Sequence, residues 1–412
     1  MTEYDRRSFM KQAGATVTAL SILPEFTSAA PRRDGDPLRI GVIGTGRQGR
    51  MILRELQKFE SAKTVAYCDI DDRRLRSAAR SAPPEAKAYE DYGALLDDAN
   101  VQAVIIATPT HVHREPSIAA LQAGKHVYCE APLASTIEDC TAIADAARNA
   151  GARFQTGLQA RSNPIYKLAR TFYRSDALLD LVAMRAQHDE KQTWRSPARD
   201  PQREKLLNWR LDPDVSIGLP GEFGTHQFDV INWYLGKYPT EVRGTGDVLY
   251  HRDGRTIPDT IQCNLAYPNN VHLQYQATLA NSFEGTYEVF YGSNSAIKLA
   301  WTAGWMFKEA DAPTQGWEVY ANRQQFHNDE GITLIADATK LAAQGRLQEG
   351  VGLPNPPVYY SLTDFINSVT QDEPVVCSAG EGLRATVAGI CAHQAVATRT
   401  RVAISEDILK GS

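Results

Sequence analysis

Three observations set the fold class of this 412-residue chain. Strands and helices alternate with short connections from Leu38 to Ala147, a glycine-rich turn follows the first strand, and long alternating hairpins begin near Ile261. Together they predict an α/β protein. Its N-terminal half carries a doubly wound parallel sheet, and a C-terminal α/β domain follows with a large, mostly antiparallel open sheet.

Leu38 to Ile43 is a short run of branched apolar residues, the pattern of a parallel strand buried on both faces. It leads directly into Gly44-Thr45-Gly46-Arg47-Gln48-Gly49, a GxGxxG turn. The helix after it places Met51, Ile52, Leu53, Leu56 and Phe59 largely on one face. Gly44 makes the tight turn, Gly46 lets backbone approach a pyrophosphate, and Gly49 permits close helix–strand packing. The helix N-terminus then offers unpaired N–H groups and partial positive charge to the phosphates. The second strand, Thr64 to Cys68, ends in Asp69, twenty residues past Gly49. A carboxylate there accepts from ribose hydroxyls and repels a 2′-phosphate, which favours NAD, while Arg73 and Arg74 keep NADP open. These features predict a Rossmann domain.

Val101 to Ala107 reads as the next buried strand, running into Thr108-Pro109-Thr110-His111-Val112-His113. A helix through Ile118 to Leu121 closes at Gly124. His126 to Cys129 is a further strand, leading to Glu130-Ala131-Pro132, and Ser135 with Glu138 forms a capping box for the helix beyond. Ligands of such sheets sit past the C-terminal strand edges. The loops at 44–49, 108–113 and 130–132 should therefore converge, bringing Thr108, Pro109, His113 and Glu130 to the cofactor with the glycine turn. Beyond residue 260, Ile261, Cys263, Leu265 and Tyr267 alternate with polar neighbours, as do Val271, Leu273, Tyr275, Ala277 and Leu279 after Pro268-Asn269-Asn270. A second hairpin is predicted at Thr286–Tyr291 and Ala296–Leu299. Residues 302–357 read as a long excursion, and a closing helix runs from about Gly380 to Arg399.

Composition is that of a globular protein, 43% hydrophobic and 23% charged. A net charge of −5 without a basic run gives no footprint for nucleic acid or an anionic membrane. The six cysteines form no CxxC pair and read as small buried hydrophobes; no ligand spacing calls for a metal. The N-terminus differs. Arg6-Arg7-Ser8-Phe9-Met10-Lys11, an apolar run from Ala13 to about Leu23, and Ser28-Ala29-Ala30 resemble a twin-arginine export signal, with Asp5 a mild departure. The apolar run is too short for a permanent membrane anchor. The expected layout is a signal at 1–30, the cofactor domain at 37–157 and the second domain at 158–412, in a periplasmic or otherwise extracytoplasmic protein.

The segment Ala107-Thr-Pro-Thr-His-Val-His113, with Ala123-Gly-Lys-His-Val-Tyr-Cys-Glu-Ala-Pro-Leu133, resembles the Gfo/Idh/MocA family. The resemblance implies a nicotinamide-dependent oxidoreductase acting on a sugar, polyol or related cyclic alcohol. It also implies a second domain whose sheet covers the nicotinamide and mediates homo-oligomerisation. Family members supply a lysine in Glu-Lys-Pro and a histidine in Asp-x-Gly-x-His-x-x-Asp. Here the first reads Glu130-Ala131-Pro132, without the lysine, and the second Glu222-Phe-Gly224-Thr-His226-Gln-Phe-Asp229.

His226, with an ordinary pKa near 6.5, is the candidate for proton transfer, and Glu222 its candidate partner. Lys191, Tyr166, Glu130 and Glu222 are candidates to replace the lysine. Arg161, Asn163, Asn208, Trp209 and Arg210 offer polar and aromatic surface for a sugar. Outside the cytoplasm a cofactor must be held tightly and restored in place. That leaves two further readings: a redox-neutral, NAD-dependent glycosidase working by oxidation, elimination and reduction, and a silent NAD- or sugar-binding protein.

Overall fold

The computed structural model describes residues 35–314, 318, 322–326, 329–336, 341 and 351–410. The export-signal reading falls on residues 1–30, which lie outside them. The first sheet contains six parallel strands: β1 (Leu38–Ile43), β2 (Ala62–Cys68), β3 (Lys87–Tyr89), β4 (Ala103–Ile106), β5 (His126–Glu130) and β6 (Phe154–Gly157). Their order, β3-β2-β1-β4-β5-β6, is that of a doubly wound dinucleotide-binding sheet, with its switch point between β1 and β4. Val42, Ile43, Val104, Ile105 and Ile106 are sealed from solvent on both faces, as their unbroken apolar runs require.

The helix Arg47–Leu56 buries Ile52, Leu53 and Leu56 against that sheet. The helix Arg114–Gln122 ends before Gly124, whose φ of +69° is a left-handed conformation that glycine adopts at no steric cost. The cap of the helix Ile137–Asn149 is Thr136, which accepts from the Asp139 N–H, one residue beyond the expected Ser135–Glu138 box. The Ala131–Pro132 peptide is cis.

The second sheet has ten strands: β7 (Leu181–Asp189), β8 (Glu241–Asp247), β9 (Thr260–Tyr267), β10 (Val271–Thr278), β11 (Thr286–Gly292), β12 (Ser295–Ala300), β13 (Ala303–Lys308), β14 (Arg323–Phe326), β15 (Asp329–Thr333) and β16 (Val402–Ala403). They lie in the order β14-β15-β13-β12-β11-β7-β10-β9-β8-β16 and pair antiparallel except for β7 with β10. Both expected hairpins are present, β9 with β10 and β11 with β12. The expected excursion at 302–357 instead carries β13, β14 and β15, which extend the sheet by pairing onto β12. Its polar composition masked three short strands, of which only β14 lies at the sheet edge.

Leu273, Tyr275 and Ala277 of β10 point inward under the helices Thr225–Leu235 and Ala379–Thr398, in one apolar core with Phe228, Ile231, Val387 and Ala388. The opposite parity, including Arg185, Arg243, Gln262, Asn264 and Gln274, leaves an open polar face. The chain crosses between the two sheets more than once. Val358, Leu362, Phe365 and Ile366 of the helix Pro357–Thr370 pack with Ile40, Val42 and Tyr128 of the parallel sheet. All six cysteines are buried and unpaired, as small apolar side chains are. No described helix is long and apolar enough to cross a membrane.

Candidate active site

The C-terminal ends of β1, β4 and β5 meet the β7 end of the second sheet around a cleft of about 520 Å³. The glycine turn forms its first wall. Gly44 has φ +90°, and a Cβ there would meet the Ala107 and Thr108 backbone at 2.7 Å. A Cβ on Gly49 would stand 1.9 Å from the Gly44 carbonyl oxygen, so helix and strand approach only because both residues are glycine. Gly46 differs: the only atom near its missing Cβ is Arg74 Nη1 at 3.9 Å, and both residues line the cleft. Gly46 starts the helix Arg47–Leu56 without a side-chain cap, and no acid occupies the first turn. Its leading N–H groups are thus open to an anion.

Asp69 is fixed from two sides. Its Oδ2 accepts from the Thr45 N–H at 2.8 Å and hydroxyl at 3.1 Å, and its Oδ1 from the Asp71 N–H at 2.8 Å. Two carboxylate oxygens offer about four lone-pair sites, so acceptor capacity remains for a ribose hydroxyl. Arg74 borders the same end of the cleft, whereas Arg203 reaches across from the second domain to Asp71 at 2.7 Å. Thr108, Pro109 and Arg47 line the cleft, and Thr108 Oγ1 is a buried hydroxyl with no partner. An uncapped helix start, an open position at Gly46 and an orphaned hydroxyl together fit a dinucleotide.

His113 is 1% exposed and acts as a clamp between loops. Its Nε2 lies 2.9 Å from the Thr108 carbonyl, and its Nδ1 3.0 Å from that of Pro132 and 3.2 Å from that of Leu133. Burial lowers its pKa, against the opposing pull of these carbonyls. Glu130, on the cleft floor, accepts from Gln48 Nε2 at 2.8 Å, and burial pushes its pKa up to about 7.

A π-helical turn, Pro220–Gly224, feeds the helix Thr225–Leu235 and aims Glu222 and His226 at the cleft. Glu222 accepts from Thr110 Oγ1 at 2.9 Å and from Arg210 Nε at 2.7 Å. His226 Nδ1 is buried and has no partner. Desolvation lowers the His226 pKa to about 4, with the Ala131 backbone pulling the other way, so the ring is neutral at about pH 7. Trp209 and Arg210 also line the cleft, the guanidinium 4.3 Å from the Trp209 ring centre. Asn208 lies just behind them, accepting from the Ser196 N–H at 2.6 Å.

Three expected sugar contacts are corrected, Asn208 among them because Ser196 and Glu204 take up its amide. Arg161 is 4% exposed, and its guanidinium is taken up by a bidentate pair to Asp229, 2.8 Å on each arm, and by Glu381. Asn163 is fully buried; it caps the helix Pro164–Arg174 through the Ile165 N–H and donates to the Trp301 carbonyl. Neither lines the cleft. Two candidate replacements for the lysine are corrected likewise. Tyr166 is buried and donates to Glu288 Oε2 at 2.7 Å, while Lys191 lies outside the cleft lining with its ammonium 5.3 Å from the Tyr250 ring centre.

Sequence reasoning missed His188, Phe223, Gln227, Trp194 and Trp301, which complete the wall. His188 stacks on Phe223 with ring centres 3.8 Å apart, and its Nδ1 lies 2.9 Å from Thr286 Oγ1. A signal existed: Met184, Ala186 and His188 share one strand parity, and the first two are buried. An inward-facing histidine at a strand end was therefore legible.

The first sheet matches the model of an oxidoreductase family with an NAD-binding Rossmann fold over residues 38–158, and the second matches that family's C-terminal α/β domain over residues 190–404. A myo-inositol 2-dehydrogenase of Thermotoga maritima is 25% identical over 371 residues, covering 90% of this chain and all of that protein. A levoglucosan dehydrogenase solved with NADH and levoglucosan shares the fold with a TM-score of 0.70 at 20% identity, covering 90% of this chain and all of the other. An aldose-aldose oxidoreductase of Caulobacter crescentus does so with a TM-score of 0.68 at 18% identity, covering 89% of this chain and all of the other. With both domain models matched in order along its length, the chain belongs to the Gfo/Idh/MocA family of oxidoreductases and carries that family's NAD-binding Rossmann domain.

Proposed function

We propose that the protein oxidises a secondary alcohol of a sugar, polyol or cyclitol. The observation that carries this reading is the unpartnered His226 Nδ1, neutral and buried in the same cleft as the open glycine turn. Gly44, Gly46 and Gly49 with the helix start at Arg47 would hold the pyrophosphate, Asp69 the adenosine ribose, and Thr108 and Pro109 the adjoining part of the dinucleotide. The fixed carboxylate at Asp69 favours NAD over NADP. When bound, the nicotinamide supplies the two-electron acceptor.

The protein's own residues do the rest. His226 accepts the hydroxyl proton of the reacting carbinol. Glu222, anchored by Thr110 and Arg210, shares the cleft and fixes the turn that leads into the His226 helix. Trp209, Trp194 and Trp301 give the apolar faces on which a sugar ring rests and exclude water. Names among the relatives, myo-inositol 2-dehydrogenase and levoglucosan dehydrogenase, support a cyclic polyhydroxyl substrate.

The twin-arginine pattern supports export to the periplasm, which in turn favours a tightly bound cofactor restored in place. The open polar face of the ten-stranded sheet is the surface on which we place homo-oligomerisation. Ala131, standing where a lysine is expected, supports a second reading: a glycosidase that oxidises, eliminates and reduces without net redox change.

The deciding experiment incubates the purified protein with NAD+ and a panel of cyclitols, anhydrosugars, aldoses and aryl glycosides. Formation of reduced nicotinamide from an alcohol supports the dehydrogenase. Aglycone release without net nicotinamide change supports the glycosidase, and silence across the panel with NAD bound overturns both.

A further inference from the structure

Besides the Thr108 hydroxyl, three cleft-lining side chains carry polar atoms that no described residue satisfies: His226 Nδ1, His188 Nε2 and Gln227 Oε1. An unmet buried polar atom is costly, so three at one wall point to a polar ligand that meets them. The Gln227 amide cannot be turned to change this. Its Nε2 faces only acceptors, the Gln187 and Tyr287 carbonyls at 2.9 Å and Glu288 Oε1 at 3.0 Å, which fixes Oε1 as the acceptor left over. The anchor on Gln187 also sets Gln227 beside His188, the next residue of β7, while His226 precedes Gln227 on its own helix. His188 is held by the Phe223 stack and by Thr286. Glu190 Oε2, at 3.7 Å, is too far to satisfy its Nε2 and already accepts from Gln192 at 2.8 Å.

Resting on the oxidoreductase reading, we propose that the cleft selects a vicinal diol. The reacting carbinol meets His226 Nδ1, and the neighbouring hydroxyl is held by Gln227 Oε1 and His188 Nε2. A hydroxyl suits this pair: its one proton goes to the amide oxygen, and its oxygen accepts from Nε2–H of His188 in the tautomer whose Nδ1 accepts from Thr286 Oγ1. A lone alcohol leaves at least one of these buried atoms unmet, and sites of that kind discriminate strongly against the analogue that lacks the hydroxyl. His188 and Gln227 are thus specificity-determining residues.

The test titrates the NADH-bound protein calorimetrically with cis- and trans-1,2-cyclohexanediol and with cyclohexanol. One diol isomer should bind at least tenfold tighter than cyclohexanol. In Gln227→Met and His188→Phe that preference should fall below threefold, whereas Lys191→Ala, outside the cleft, should keep it. Two variants from different elements guard against one failing to fold. Equal binding of diol and monoalcohol by the wild type, no binding of either, or a preference that survives both substitutions would overturn the proposal. Failure of the oxidoreductase reading looks different: the diol preference is present, but no alcohol of the panel reduces NAD+.

Discussion

Arg210 Nε donates to Glu222 Oε2 at 2.7 Å, joining a guanidinium that is 43% exposed to a carboxylate that is 2% exposed. The pair ties the Trp209–Leu211 turn to the π-helical turn that aims His226. Arg210→Ala leaves Glu222 with Thr110 alone, at an expected cost of about 1–3 kcal/mol for a lost hydrogen bond to a charged group, read from urea unfolding. Arg210→Lys should recover only part of it, because an ammonium lacks the planar fork that also lies over Trp209.

Arg161 separates packing from recognition. Removing it strands the buried Asp229, so Arg161→Ala should lower stability by about 3–5 kcal/mol. The folded fraction should retain the KM of the wild type for any alcohol substrate. A stable variant with a tenfold higher KM would return Arg161 to the substrate site.

The glycines of the cofactor turn should fail in different ways. In Gly46→Ala the new methyl enters open cleft, so NADH affinity should fall at least tenfold with little change in Tm. In Gly49→Ala the methyl collides with the Gly44 carbonyl, and both quantities should fall. Fluorescence titration with NADH and thermal unfolding of the two variants check this.

Buried ionisable groups set opposing pH dependences. His188 and His226 have folded-state pKa values lowered to about 4, so their contribution to stability is lost as pH falls from about 6.5 toward 4. Glu130 and Glu288 are raised to about 7 by burial, so theirs is present below about 4.5 and lost as pH rises through 7. Across pH 4.5 to 6.5 the two pairs offset each other. Glu288→Gln removes one opposing group, and its stability relative to the wild type should climb as pH rises through that window. Urea midpoints at several pH values read it; a constant difference would show that Glu288 does not titrate there.

Four strands of the parallel sheet, β1, β2, β4 and β5, were legible as largely apolar runs leading into a turn, as at Ile43–Gly44 and Cys68–Asp69; β3 and β6, Lys87–Tyr89 and Phe154–Gly157, are too short and too polar to show. The β13–β15 extension was not legible either, since Arg323–Phe326 and Asp329–Thr333 are short strands near the end of the sheet with too few buried positions to show a period. At the site, His226 and Glu222 reach the same cleft because one motif carries both. Arg161 and Asn163 were misassigned because a polar residue beside a cleft-forming segment looks the same whether it faces a ligand or a buried partner. The partners that decide it, Asp229 and Trp301, are 68 and 138 residues away. Sequence spacing does not record that distance being closed.

The most direct test of the central claim is a single-turnover comparison of wild type and His226→Ala, each loaded with NAD+ and mixed with a cyclitol or anhydrosugar that the panel identifies. The account predicts nicotinamide reduction in the wild type. In His226→Ala it predicts a rate at least a hundredfold lower, consistent with loss of a general base, with NADH binding unchanged. Reduction by His226→Ala at the wild-type rate would contradict it.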